Sequence, residues 1–486
     1  MTEVLDWVQE EMAGLSLGDA RLVTRQQRLL SALFMQASQS IPTACQGAAE
    51  IKAAYRWLDH VRVTPGRVLA PHTRATQHRV AQHPVVLTVQ DTSELDFTGK
   101  QVAAELGPLT STHCRGLFVH PTLAVTPEKV CLGVVAVELR VRPAGTVPEQ
   151  HTRPLAAKES QRWLTGYQTA CALAAATPGT QIISVADREG DIFELYAEAG
   201  RTEAGRRADF VIRAAQNRRV TVADADGVTL TKLWDAAAAA PVLGTVSYHL
   251  TRTAVRQARD LTQTVQAVTV TVQPPARPAG TVPLAPVSLQ AVLVREMAPP
   301  AGEDPVEWLL LTSLAVATLP AALWVVQIYL CRWQVEVYFK VLKSGCRVEK
   351  LYLATRDRLT KVLALYLIIA WRVLYLAQVG RACPALSCTA LFSASEWQAV
   401  YLVATKQPPP AAPPSLDTLV RMIAGFGSFV GRTGDGPPGI TSLWIGLQRA
   451  MDYARAYDTF GPGSRFADPD RPSGSKGVKV AKDTYG

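Results

Sequence analysis

Three carboxylates stand where phosphodiester chemistry could use them. Asp91 closes the apolar, β-branched run Pro84–Gln90, and Asp187 closes the run Thr180–Ala186. Each acid is expected at the C-terminal end of a strand, where a buried sheet delivers a side chain to its edge. Glu336 lies in the stretch Tyr329–Gly345, YLCRWQVEVYFKVLKSG. On a helix, Tyr329, Arg332, Glu336, Lys340 and Lys343 follow steps of three, four, four and three, so all five share one face, with Trp333 and Val337 on an apolar side. Transferring a phosphodiester needs an activated oxygen nucleophile and neutralised charge on the leaving oxygen. Two divalent metals about 3.5–4 Å apart, held by clustered carboxylates, supply both. Magnesium takes oxygen ligands and keeps some of its waters, so three acids can suffice. Arg332 suits bidentate contact with a phosphate, and Lys340 and Lys343 act as point charges. Plainer alternatives stand beside these. An acid after a strand is also a turn-former or a helix N-cap, and Glu336 with Arg332 and Lys340 also makes an ion-paired helix surface.

The elements that must position these residues read as a mixed α/β domain. The strands ending at Asp91 and Asp187, further strands at Val119–Val125, Val130–Val141, Phe210–Arg213 and Trp308–Ser313, and a helix at Glu159–Ala176 imply a sheet covered by helices. One long helix is expected over Leu319–Leu342. Residues from about 220 to 300 alternate Val and Thr and are interrupted near Pro274 and Pro283, as in a β-rich insertion. The first sixty residues read as helices. One starts after Asp19, a candidate N-cap, and carries Arg21, Arg25 and Arg28; a second runs over Glu50–Leu58 with Lys52 and Arg56. Such stripes fit DNA contacts or a solvated face. Pro408–Pro414 reads as a stiff linker or loop, Leu416–Tyr457 as a C-terminal helical unit, and the last residues as a disordered tail.

Composition sets limits. A chain of 486 residues predicts two or three units. Hydrophobic residues at 48% and charged residues at 19% exclude wholesale disorder. A net charge of +9 suits a polyanionic partner. Eight cysteines form no CxxC pair and predict reduced, mostly buried thiols in a cytosolic protein. The most apolar segment, Val362–Val373, carries Arg372 and is too short to span a bilayer, so it is expected to be a core helix.

At these residues the sequence resembles the DDE cut-and-paste transposases of the insertion-sequence-four family. The family's Tyr-x-x-Arg-x-x-x-Glu-x-x-x-x-x-x-Lys pattern is intact as Tyr329, Arg332, Glu336 and Lys343. The first acid sits in VQDTSELDF and the second in VADREGDIFELY. LGDARL, AAYRWL, VAAELGPL, CRGLFVH, EWLLLTS, GFGSFVGR and SLWIGLQ follow the family's order, so the likeness spans about residues 15–455. It implies an α/β, ribonuclease-H-like catalytic core (71–375) with a β-rich insertion at about 220–300. A helical domain that binds transposon-end DNA (1–70) and a helical dimerisation domain (376–465) flank it, with a disordered tail at 466–486. Carried over, Asp91, Asp187 and Glu336 are the catalytic triad and hold two Mg²⁺ or Mn²⁺ ions. Tyr329, Arg332 and Lys343 grip phosphates, Lys340 and Arg213 contact DNA, and Trp308 stacks on a flipped base. Arg21, Arg25, Lys52 and Arg56 fall in the end-binding domain. The partners implied are double-stranded transposon ends, target DNA and a second copy of the chain, in the bacterial cytosol at the nucleoid and without a membrane. The chemistry implied is end nicking, hairpin formation, hairpin opening and strand transfer. A DNA-binding regulator and a stand-alone nuclease are the rival readings.

Overall fold

The computed structural model describes residues 4–462, except 46, 144–157, 202–204, 226, 251–257, 277–283 and 433. The expected tail at 466–486 and the Pro283 end of the proline cluster lie outside the described residues. The chain divides into two units, residues 1–382 and 383–486.

The first unit begins with five helices: α1 (Asp6–Glu11), α2 (Ala20–Met35), α3 (Ile41–Cys45), α4 (Ala48–Leu58) and α5 (Pro65–Val80). Asp19 caps α2 by accepting the Arg21 N–H at 2.8 Å, and Leu29, Leu30 and Leu33 bury its apolar stripe. Thr64 caps α5, which opens with Pro65, a residue whose missing N–H costs nothing there. A buried network ties α1 to α5: Glu11 accepts a bidentate fork from Arg79 at 2.9 Å and bonds His72 Nδ1 at 2.5 Å.

Strands follow. They are β1 (Val85–Gln90), β2 (Ser93–Asp96), β3 (Gly107–Pro108), β4 (Arg115–Val125), β5 (Cys131–Arg140), then, after α6 (Gln161–Ala176), β6 (Gln181–Ala186), and, after α7 (Phe193–Ala199), β7 (Asp209–Arg213). β5 and β2 pair antiparallel with β4, β4 pairs antiparallel with β1, and β1, β6 and β7 run parallel. That mixed order, with α6 as the crossover between β5 and β6, is the expected ribonuclease-H-like core.

The Val/Thr-rich block contributes β8 (Arg219–Asp224), β9 (Gly227–Lys232), α8 (Leu233–Ala239), β10 (Val242–Leu250), β11 (Arg259–Val272) and β12 (Val287–Glu296). These strands do not fold apart. β13 (Glu307–Thr312) pairs with β7 on one side and β12 on the other, so the block extends the main sheet through β12, β11, β8 and β9.

The expected long helix is two. α9 (Leu319–Leu330) and α10 (Trp333–Lys340) meet at Cys331–Arg332, where the amides of Cys331, Arg332, Gln334 and Val335 bond three residues back instead of four. A π-helical turn, Val341–Gly345, follows. The joint turns Trp333 to solvent at 59% exposure, contrary to its expected apolar contact. α11 (Arg356–Ala382) is long and apolar enough to cross a membrane, yet 94% of its apolar window is buried inside the protein. It is the core helix expected at Val362–Val373, packed on α5 and β5. All eight cysteines are free and six are buried.

The second unit holds α12 (Ala394–Thr405), α13 (Leu416–Phe426) and α14 (Ile440–Phe460). Ser393 and Glu396 form a reciprocal cap on α12. Pro408–Pro414 is the loop between α12 and α13 within this unit. A Cβ on Gly446 would lie 1.8 Å from the Ile423 carbonyl oxygen, and one on Gly427 would lie 1.9 Å from that of Ser442. The glycines of GFGSFVGR and SLWIGLQ therefore let α13 and α14 approach closely.

Candidate active site

Asp91 and Asp187 follow the ends of β1 and β6, and those strands are parallel neighbours in register, Val89 opposite Val185. Both acids therefore leave the same edge of the sheet. The residues before them are almost wholly buried, in the near-continuous apolar runs VVLTV and IISVA expected of strands covered on both faces. The backbone N–H of Thr92 donates to Asp91 Oδ1 at 2.7 Å, and that of Glu189 donates to Asp187 Oδ1 at 2.9 Å.

α10 brings the third acid. Arg332, at the joint before it, donates from Nη1 to Asp91 Oδ2 at 2.9 Å and from Nη2 to Glu336 Oε1. One guanidinium thus spans a strand end and a helix. Burial pushes the Asp91 carboxyl up to about 6, aided by the charges of Asp187 and Glu336 and opposed by Thr92 and Arg332. Burial also raises Asp187, with the nearby charge of Glu189 adding to it. Burial of both carboxyls, with like charge from neighbouring acids added to it, is the electrostatic mark of this edge.

Three carboxylates offer hard oxygen donors with too much negative charge for their surroundings, a set that fits a divalent cation. In the present arrangement no group of three or more acids, histidines or cysteines among the described residues closes around a metal. Arg332 takes an oxygen of Asp91 and one of Glu336 and supplies the positive charge there.

The other expected residues separate into groups. Tyr329 is buried at 6% exposure, packs edge-to-face on Trp308 with ring centroids 5.5 Å apart, and is near Arg213. Arg213 is half-buried and reaches the Glu307 carbonyl at 3.4 Å. Lys343 turns toward β2, donating to the Glu94 carbonyl at 2.9 Å with Glu349 3.6 Å away, whereas Lys340 is exposed. On the helical region, Lys52 and Arg56 are exposed and Arg21 is 95% exposed. Arg25 departs from the expected outward stripe: it is half-buried and paired with Glu50 of α4, holding α2 to α4.

Two polar clusters beside the acids escaped the sequence reading. Asp191, fully buried, accepts from the Tyr196 hydroxyl, the amides of Ala215 and Gln216, and Arg218. It fastens the turn after Asp187 to the end of β7. Beneath Asp91, buried Gln90, His120 and Ser184 form a hydrogen-bonded chain. Its only signal in sequence is a histidine ending the apolar run Leu117–Val119.

Three family models match the chain: transposase DNA-binding over residues 5–63, transposase DDE domain over 196–372, and transposase Tn5 dimerisation domain over 368–461. A cryo-EM structure of a piggyBac transposase synaptic complex with hairpin DNA is similar at 11% identity, over 94% of this chain and 76% of that one. Its TM-score of 0.35 is too low to bear on the site.

Proposed function

The chain belongs to the DDE transposases, and from that membership we propose that Asp91, Asp187 and Glu336 are its catalytic carboxylates. The observation that supports the triad is convergence: two adjacent parallel strands end in Asp91 and Asp187, and Arg332 links Asp91 to Glu336. As a transposase the protein cleaves and joins DNA, and its family depends on a divalent metal. Mg²⁺ or Mn²⁺, two per site, would be held by the three carboxylates. When bound, the metal activates the attacking oxygen and offsets charge on the leaving oxygen.

The rest of the chemistry belongs to the chain's own side chains. Asp91 and Asp187 stay fixed by backbone amides while the substrate changes, so one edge can serve four successive displacements: nicking of a transposon end, hairpin formation, hairpin opening and joining to target DNA. Arg332 neutralises the acids in the DNA-free protein and is placed to exchange a carboxylate oxygen for a phosphate oxygen, which a planar fork matches. Lys340 and Lys343 extend that positive surface. Tyr329, Trp308 and Arg213 form a separate aromatic and cationic group suited to an unstacked base and its phosphate. The helices of residues 1–70 would bind the transposon end through Arg21, Lys52 and Arg56, residues 71–375 would carry the chemistry, and residues 376–465 would pair two copies.

Glu336→Ala is the direct test. Nicking of a transposon-end duplex in Mg²⁺ should fall on the order of 10³-fold or more, while binding of the same duplex in a gel assay persists. Full cleavage by this variant would sink the assignment. Binding without any metal-dependent nicking by the unaltered chain would instead make the protein a DNA-binding regulator.

A further inference from the structure

The motif CRGLFVH ends on a histidine to which the catalytic reading gives no role. His120 sits in β4 at 4% exposure, its ring edge-on to Trp163 of α6 with centroids 4.9 Å apart. Its two ring nitrogens have different partners. Nε2 lies 3.2 Å from Gln90 Oε1, and Nδ1 lies 2.9 Å from the Thr92 hydroxyl. The Gln90 amide nitrogen donates to Ser184 Oγ at 3.2 Å, which leaves its carbonyl oxygen as an acceptor. His120 therefore carries its proton on Nε2, donates to Gln90, and accepts the Thr92 O–H on Nδ1. Burial and the neighbouring Arg162 hold the imidazole pKa down to about 3, so the ring is neutral and this one tautomer is fixed.

The chain of bonds runs on to the site. The Thr92 amide donates to Asp91 Oδ1 at 2.7 Å, leaving Oδ2 to face Arg332. α6 is shaped around the relay as well. A Cβ on Gly166 would stand 2.0 Å from Gln90 Oε1, so the glycine leaves room for that side chain. A buried polar chain of this kind costs desolvation unless every member is satisfied, and here Gln90, His120, Ser184 and Thr92 satisfy one another.

We propose that His120 is a positioning residue: acting through Thr92, it fixes the turn after β1 and so the direction in which Asp91 offers its carboxylate to a divalent metal. The proposal rests on Asp91 being a catalytic carboxylate. His120 touches neither metal nor DNA. Its role resembles that of outer-shell partners that orient ligands, whose loss typically weakens metal affinity about 10–100-fold.

The test is Mn²⁺ binding to the full chain without DNA, followed by electron paramagnetic resonance of the free ion, together with the thermal midpoint of each variant. His120→Phe keeps the ring's bulk but has no acceptor. His120→Asn keeps an oxygen near the place of Nδ1. Phe should weaken Mn²⁺ binding about tenfold or more, and Asn should restore most of it even where the two variants have equal thermal midpoints. Unchanged Mn²⁺ binding by a folded His120→Phe protein overturns the proposal. If that variant fails to fold, Thr92→Val decides: it removes the same hydroxyl, and undiminished Mn²⁺ binding would overturn the proposal equally. Asp91→Asn separates the two levels. If it leaves Mn²⁺ binding intact, the catalytic assignment of Asp91 fails; if it abolishes binding while His120→Phe does not, only the relay fails.

Discussion

At the scale of single residues, Arg332 and the acids around it form a charge balance that the protein maintains on its own. Asp91 is the member under most strain, its carboxyl raised to about 6 by burial and by the charges of Asp187 and Glu336. A carboxyl raised in the folded state favours folding where it is protonated. That contribution is complete below about pH 4 and is lost as pH climbs through about 6. Asp91→Asn should therefore stabilise the metal-free protein above pH 7, by roughly 2 kcal/mol once solvent screening is allowed for. The gain should shrink to nothing near pH 4. Thermal denaturation across that range in a chelating buffer reads it directly, and an equal gain at pH 4 and pH 8 would refute the electrostatic origin. The strand-end positions of Asp91 and Asp187 were legible in the sequence because each closes an apolar, β-branched run. Such an acid is also a turn-former or N-cap, and Asp187 does cap the short turn that follows it. Arg332 was legible as a cation on the face of Glu336, but its hold on Asp91 was not. That contact joins residues 241 apart and depends on how α10 meets β1.

Among elements, periodicity predicted type better than extent. Leu319–Leu342 reads as one helix because no glycine or proline interrupts it after Pro320 in the first turn. The break falls at Cys331–Arg332, where the hydrogen bonds switch to a three-residue step, and nothing in the residue types there marks it. The Val/Thr block was recognisable as strands, yet nothing in its alternation said that it would continue the main sheet. Register across β12, β13 and β7 is set by pairing partners distant in sequence. The junction between the two halves of the sheet rests on Asp191 and Arg218, exposed 0% and 9% at their side chains. Asp191→Ala would leave Arg218 buried and unpaired and strand the amides of Ala215 and Gln216. It should cost about 3–5 kcal/mol in urea denaturation, whereas Glu189→Ala, on an exposed carboxylate paired with Arg162, should cost under about 1 kcal/mol. Comparable losses in the two variants would refute the account of this junction.

For the whole molecule, the excess of nine positive charges and the exposed cations of α2 and α4 define how it should meet DNA. Each phosphate neutralised contributes about 0.9 to the slope of log affinity against log salt. Replacing Lys52 and Arg56 together with alanine should reduce that slope by about 2 and weaken end binding most at low salt. Arg25→Ala should act differently. Its partner is Glu50, so it should lower the thermal midpoint more than it changes the slope. A fall in slope for Arg25→Ala matching that of the exposed pair would place Arg25 on the DNA after all.

The link from Arg332 to Asp91 also has a meaning in time. A chain leaves the ribosome from its N-terminus, so β1 and β6, with the two aspartates, emerge long before the segment that brings Arg332 and Glu336. Contacts between segments so far apart form late, because a large loop must close before they repay its entropy. During synthesis the nascent protein thus carries helices able to meet DNA, followed by a sheet edge with two unneutralised acids and no third. With Asp91, Asp187 and Glu336 as the proposed catalytic carboxylates, the capacity to cut would arrive only when the first unit is nearly finished, which would separate the birth of DNA affinity from the birth of DNA damage.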